Sequence, residues 1–179
     1  MYNPKNMEPN QVIHMGLFQD RKVTYQLKDF LQSADSDWVE ISHVLARNFK
    51  RLAVEHREVE NYILEIEGYE IRIAHCYRSQ NTYDRLEWIY LERVAAGKYA
   101  SKPSKTSQHF FGEAVDCHLY HNGVRIRGVE ECEYITKLIS THFPGKFLQI
   151  FAYRWGIHLS IETSRSLAAG IKSKFGVFR

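Results

Sequence analysis

Apolar residues recur along this chain with two different periods. Trp38, Ile41, Val44, Leu45, Phe49, Leu52 and Val59 fall at near-helical spacing and predict a first helix. Asp37, with Glu40 three residues on, reads as its capped start. Arg47, Lys50, Arg51, Glu55, Arg57 and Glu58 then form the solvated face. The segment 68–77 alternates instead, with Ile71 and Ile73 against Glu70 and Arg72, and predicts a strand. A second helix is predicted over 82–96 from Tyr83, Leu86, Ile89, Tyr90 and Val94, ended by Gly97. Residues 97–108 are basic, small and polar, and read as a loop. A second strand follows over 114–120, and Val129, Cys132, Ile135, Leu138 and Ile139 mark a third helix. Over 155–162 alternation returns, with Ile157, Leu159 and Ile161 facing one way and His158, Ser160 and Glu162 the other.

Helices and strands are thus mixed without a regular βαβ repeat, and the predicted class is α+β. Residues 1–22 carry two of the four prolines and several asparagines, and read as an irregular N-terminal arm. Residues 23–179 are predicted to form one domain. A chain of 179 residues, 44% hydrophobic and 25% charged, can bury a core without metal or disulfide staples.

Charge and cysteine content narrow the function classes. Twenty-four basic against 21 acidic residues leave only +3, with no lysine or arginine block, so nucleic acid is not the expected partner. Three cysteines without a C-x-x-C pair exclude a disulfide framework and a thiolate metal cluster. Cys76, Cys117 and Cys132 read as small core hydrophobes. The N-terminal segment lacks the pattern of a signal peptide, and no apolar run is long enough to span a membrane. The expectation is synthesis in the cytoplasm as a soluble protein.

His109, Asp116 and His158 are the candidate metal ligands. Neutral imidazoles and one carboxylate suit a borderline divalent cation, and three protein ligands leave a position open. Strand alternation aims His158 away from Ile157 and Leu159. His118, two residues beyond Asp116 on the same face, reads as a supporting partner, an alternative ligand or a rim residue. Tyr153 and Trp155 are candidates for a substrate groove or for core packing.

The run Ser107-Gln108-His109-Phe110-Phe111-Gly112-Glu113-Ala114-Val115-Asp116 fits S-x-H-x-x-G-x-A-x-D at every specified position. It resembles the zinc motif of the D-alanyl-D-alanine carboxypeptidases, vancomycin-resistance dipeptidases and phage endolysins, which share a fold with the hedgehog signalling domain. The likeness covers about residues 23 to 162. It includes the lead-in Tyr25 to Ser33, the helix from Trp38, the strand ending in Tyr77-Arg78-Ser79, and a closing strand from Trp155 to Ser160. The resemblance implies Zn2+ on His109, Asp116 and His158, with Arg78 anchoring the substrate and Ser107, Tyr153 and Trp155 beside it. It implies hydrolysis of peptidoglycan stem peptides, by a phage- or virion-borne protein or one released at lysis.

The family places its proton-accepting acid three or six residues before the last ligand. Trp155 and Ala152 stand there, and no acidic residue occurs from Phe143 to Leu159. The general base is therefore unassigned, and Glu at 152 or 155 is expected to restore hydrolysis if it has been lost. Glu113, Glu162, Asp84, Glu130 and Glu131 are the substitutes to consider, although Glu162 lies about 13 Å along the strand from His158. A second reading follows, a zinc-holding recognition module without turnover.

Overall fold

Strand pairing fixes the geometry on which everything else is built. The computed structural model describes residues 12–18, 21–26 and 43–178. Its main sheet holds β3 (Tyr69–His75), β4 (Ala114–His121), β5 (Val124–Arg125), β6 (Gln149–Tyr153), β7 (Gly156–Ser160) and β8 (Lys174–Phe178). Their order is β3-β4-β7-β6-β8, with short β5 also on β4. Every pairing is antiparallel except that of β6 with β8. The class is α+β, as the unevenly mixed helices and strands predict.

One face of this sheet is covered by α1 (His43–Glu67) and α3 (Val129–His142). Phe49, Leu52, Val59 and Ile63 of α1 and Cys132, Ile135 and Ile139 of α3 meet Ile71, Val115, Cys117, Leu119, Ile157 and Leu159 of the strands. Each fully buried large side chain there contributes about 1.5–3 kcal/mol. All three cysteines are buried and unpaired, as expected of small core residues. The helix α2 (Gln80–Ala95) starts at Ser79, whose Oγ accepts the Thr82 N–H, and is followed by a left-handed Gly97. It packs lightly, leaving Trp88, Leu91 and Val94 exposed, so the predicted apolar stripe is only partly core.

The opposite face carries Asp116 and His118 of β4, His158 of β7, and Phe151 and Tyr153 of β6. Alternation separates these from the core residues between them. All five residues of β7 are buried, so its polar face looks into a cleft and not into solvent.

Three strand features differ from what the sequence pattern predicts. The irregular arm expected over 1–22 contains β1 (Val12–Phe18), paired antiparallel with β2 (Arg21–Gln26), and the boundary drawn at residue 22 falls inside β2. Main-chain pairing of the two segments overrides the asparagine- and proline-rich composition. The strands β6 and β8 carry no local signal. The Ile150-Phe151-Ala152 run is buried on both sides and shows no alternation, and β8 is interrupted by Gly176. The expected helix start at Asp37 and Glu40, and the lead-in over 27–33, lie outside the described residues.

Candidate metal centre

Two ligands arrive by strand register. Asp116 on β4 is the direct partner of His158 on β7, which in turn faces Phe151 on β6. His109 comes from a single 3-10 turn, Gln108–Phe111, set against the end of β4. Gly112 closes that turn with φ +62, and a Cβ there would lie 2.8 Å from Phe49 Cε1. Both the left-handed backbone and the contact with α1 therefore require glycine. This is the physical content of the glycine in the S-x-H-x-x-G-x-A-x-D run. A second tight approach holds β7 against β4, since a Cβ on Gly156 would stand 2.1 Å from the Cys117 carbonyl oxygen.

The donor atoms converge. Asp116 Oδ1 lies 2.8 Å from His158 Nδ1 and 3.2 Å from His109 Nε2, and the two ring nitrogens are 3.2 Å apart. A tetrahedral cation with bonds of about 2.0–2.1 Å has ligand edges of about 3.3 Å, close to this triangle. His109 Nδ1 donates to the Cys76 carbonyl at 2.7 Å, which fixes the tautomer and turns the Nε2 lone pair inward. A carboxylate oxygen and two imidazole nitrogens thus surround a point where neutral rings can offer only one proton. That arrangement is able to hold a metal ion.

Electrostatics favour the ligating protonation states. Burial alone would raise the Asp116 carboxyl. The two imidazoles beside it, His109 and His158, outweigh burial and keep the group ionised well below the usual carboxylate range. Burial lowers the His158 pKa, against the pull of Asp116, and leaves a neutral ring at neutral pH. Phe151 stacks on that ring at 5.6 Å and 22°.

The triad lies in a cleft of about 440 Å³, also lined by Arg78, Ser107, Tyr153 and Trp155. The three candidate ligands, Arg78, Ser107, Tyr153 and Trp155 are therefore brought to one place. Arg78 is anchored through its backbone N–H to the His109 carbonyl, while its Nε is buried with no partner among the described residues. Tyr153 is stacked between Trp155 at 4.9 Å and Phe178 at 4.9 Å. Burial pushes its hydroxyl pKa up, so it is a donor at neutral pH. Phe178 is a contributor that no sequence pattern signals. His118 is outside the donor group and sits edge-on to Trp155 at 6.3 Å, a rim position.

Asp116 is the one acid among the described residues that line this cleft. Glu113 is fully buried elsewhere, accepting hydrogen bonds from Thr163 and from both Nε and Nη2 of Arg165. Glu162 is exposed beside Arg51 and Thr163 in a separate hollow. Asp84 accepts from Gln80 at 2.6 Å on the outside of α2, and Glu130 and Glu131 are exposed in the first turn of α3. Ala152 is fully buried and packs in the core on the far side of the sheet, whereas Trp155 lines the cleft.

Comparison of the chain with protein-family models and with characterised proteins finds no match. Among the described residues, no helix is long and apolar enough to cross a membrane.

Proposed function

We propose that the chain is a zinc-dependent peptidase-like protein acting on amide bonds of peptidoglycan stem peptides, as a D,D-carboxypeptidase or endopeptidase. The observation that carries this reading is the convergence of His109, Asp116 and His158 donors at the floor of a cleft walled by Arg78, Tyr153 and Trp155. Zinc suits two neutral imidazoles and a carboxylate, and when bound it would supply Lewis-acid polarisation of a carbonyl and a more acidic water.

The chain's own residues supply the rest. Arg78 offers a guanidinium with an unused Nε–H to a substrate carbonyl or carboxylate. The protonated Tyr153 hydroxyl is a hydrogen-bond donor near the same space, and the Tyr153–Trp155 stack gives the cleft one aromatic wall. A setting in a phage particle, or release at lysis, goes with this reading.

A second reading, a zinc-holding recognition module without turnover, is favoured by the absence of any acid but Asp116 among the described cleft residues. Loss of general catalysis costs about 10²–10⁴-fold in rate. Mass spectrometry of purified stem peptides incubated with zinc-loaded protein, with and without chelator, separates the two. Released D-Ala or a split cross-link that chelator abolishes supports the peptidase. Intact peptides alongside a protein that retains zinc support the module.

A further inference from the structure

Trp155 is shared with a second hollow of about 380 Å³, lined among the described residues by Arg125, Arg127, Arg154 and Trp155. The sequence puts these cations together by two separate devices. Arg125 and Arg127 flank Ile126, which packs against the core, while both arginines line the hollow. Arg154 and Trp155 are the two residues between the paired Tyr153 and Gly156, at the tip of the β6–β7 hairpin. Arg125 Nη2 donates to the Trp155 carbonyl at 3.2 Å and ties the two devices to each other.

Among the described residues the charge is not compensated. Arg51, Arg57, Arg72 and Arg165 each meet a carboxylate, but none of the described ion pairs engages these three arginines. No acidic side chain lines the hollow, and Arg125 Nε is buried without a partner among the described residues. Gathering three guanidiniums in this way works against their mutual repulsion, which a bound anion would relieve. Arginine, unlike lysine, presents a planar fork that pairs bidentately with a carboxylate or a phosphate.

We infer that the Arg125–Arg127–Arg154 hollow is an oxyanion-binding site, receiving a carboxylate or phosphate group of a ligand whose other end reaches the metal cleft past Trp155. Binding in the hollow stands on the guanidiniums and does not require hydrolysis; only the connection to the cleft rests on the proposed function. The anionic group then lies on the opposite side of Trp155 from the donor triad, so the ligand is elongated and charged away from the metal.

The test uses the full chain, ¹⁵N-labelled and treated with chelator so that anions do not report on bound metal. Its arginine Nε–H and tryptophan indole signals are followed during titration with inorganic phosphate or acetate at constant ionic strength. The expected result is saturable movement of the Trp155 and Arg125 signals. Affinity should fall about tenfold or more in Arg127→Gln/Arg154→Gln, whose positions are exposed and outside the core, and persist in Arg93→Gln on α2. Saturation by phosphate only assigns the site to phosphate-bearing ligands, and saturation by acetate only to carboxylates. Absence of saturable movement with either anion, or undiminished binding in the double variant, overturns the inference whatever the outcome of the peptide assay.

Discussion

Asp116 and His158 are opposite one another in the β4–β7 ladder, and their side chains meet on the cleft face with Oδ1 2.8 Å from Nδ1. The pairing of two strands and the pairing of two groups able to ligate a metal are thus one and the same structural fact. His109 joins them from a turn whose backbone is held by α1 and whose ring is held by the Cys76 carbonyl.

The first prediction concerns the ion. The protein should take up one equivalent of zinc, measurable by calorimetry and elemental analysis. Asp116→Asn keeps the shape but removes the charge, and should weaken binding by at least about 10–100-fold. His109→Ala and His158→Ala should abolish stoichiometric binding. Chelation should lower the unfolding midpoint of the native chain and leave that of His158→Ala unmoved. Equal zinc content in all four proteins would refute the assignment of the centre.

Introducing an acid distinguishes the two positions at which the resemblance expects one. Trp155 lines the cleft, so Trp155→Glu should place a carboxylate beside the triad and raise stem-peptide hydrolysis above that of the native chain. Ala152 is fully buried on the opposite face, so Ala152→Glu should bury a charge in the core and destabilise the fold severely. Melting curves and the peptide assay check both. A stable Ala152→Glu protein with new activity would contradict the opposed directions of these two side chains.

Glu113 sits inside the motif run but serves the scaffold. Its fully buried carboxylate is held by Arg165 and Thr163, and its carbonyl accepts the Ile161 N–H at 2.8 Å. Glu113→Ala should cost about 2–3 kcal/mol, less than for a wholly buried ion pair because Arg165 is partly exposed. Zinc affinity should be retained within a few-fold. A large loss of zinc with no loss of stability would instead make Glu113 part of the centre.

Acid should destabilise the protein from just below neutrality. Burial, reinforced by the charge of Arg57, lowers the pKa of His56 from 6.5 to about 3. The unfolded chain therefore takes up a proton near pH 6.5 that the folded chain refuses. This contribution is fully present above pH 6.5 and is lost as pH falls toward 3, by roughly 2–3 kcal/mol at pH 4.5. His75, His118 and His158 are shifted in the same direction and add to the slope. In denaturant titrations with chelator present, His56→Gln should show a shallower fall between pH 6.5 and 4.5. Parallel curves for the two proteins would remove His56 from the explanation.

Much of the centre is legible in the sequence because it depends on short-range devices. Alternation sorts His158 from Ile157 and Leu159, and the spacing from His109 through Gly112 to Asp116 encodes one turn and the entry to one strand. What is not legible depends on long-range pairing. Nothing local in Gln149–Tyr153 announces that it lies between β7 and β8, and Phe178 reaches Tyr153 only through the parallel pairing of β6 with β8. Spacing does not sort the substitute acids either. Glu113 and Asp116 are neighbours in sequence, yet one closes an ion pair with the segment after β7 and the other faces the cleft. The arginine hollow joins residues 125–127 to a hairpin tip more than one helix away in the chain, and no motif marks it.

The register row through the centre has one more consequence. His75 on β3, Asp116 on β4, His158 on β7, Phe151 on β6 and Gly176 on β8 are successive partners across five strands. Because that row is continuous, a slip of β7 by a single residue would present Ile157 or Leu159 to Asp116 and turn His158 toward the helices. Correct zippering of the sheet is therefore a precondition for assembling the donor group, and a chain with β7 out of register would carry no such cluster.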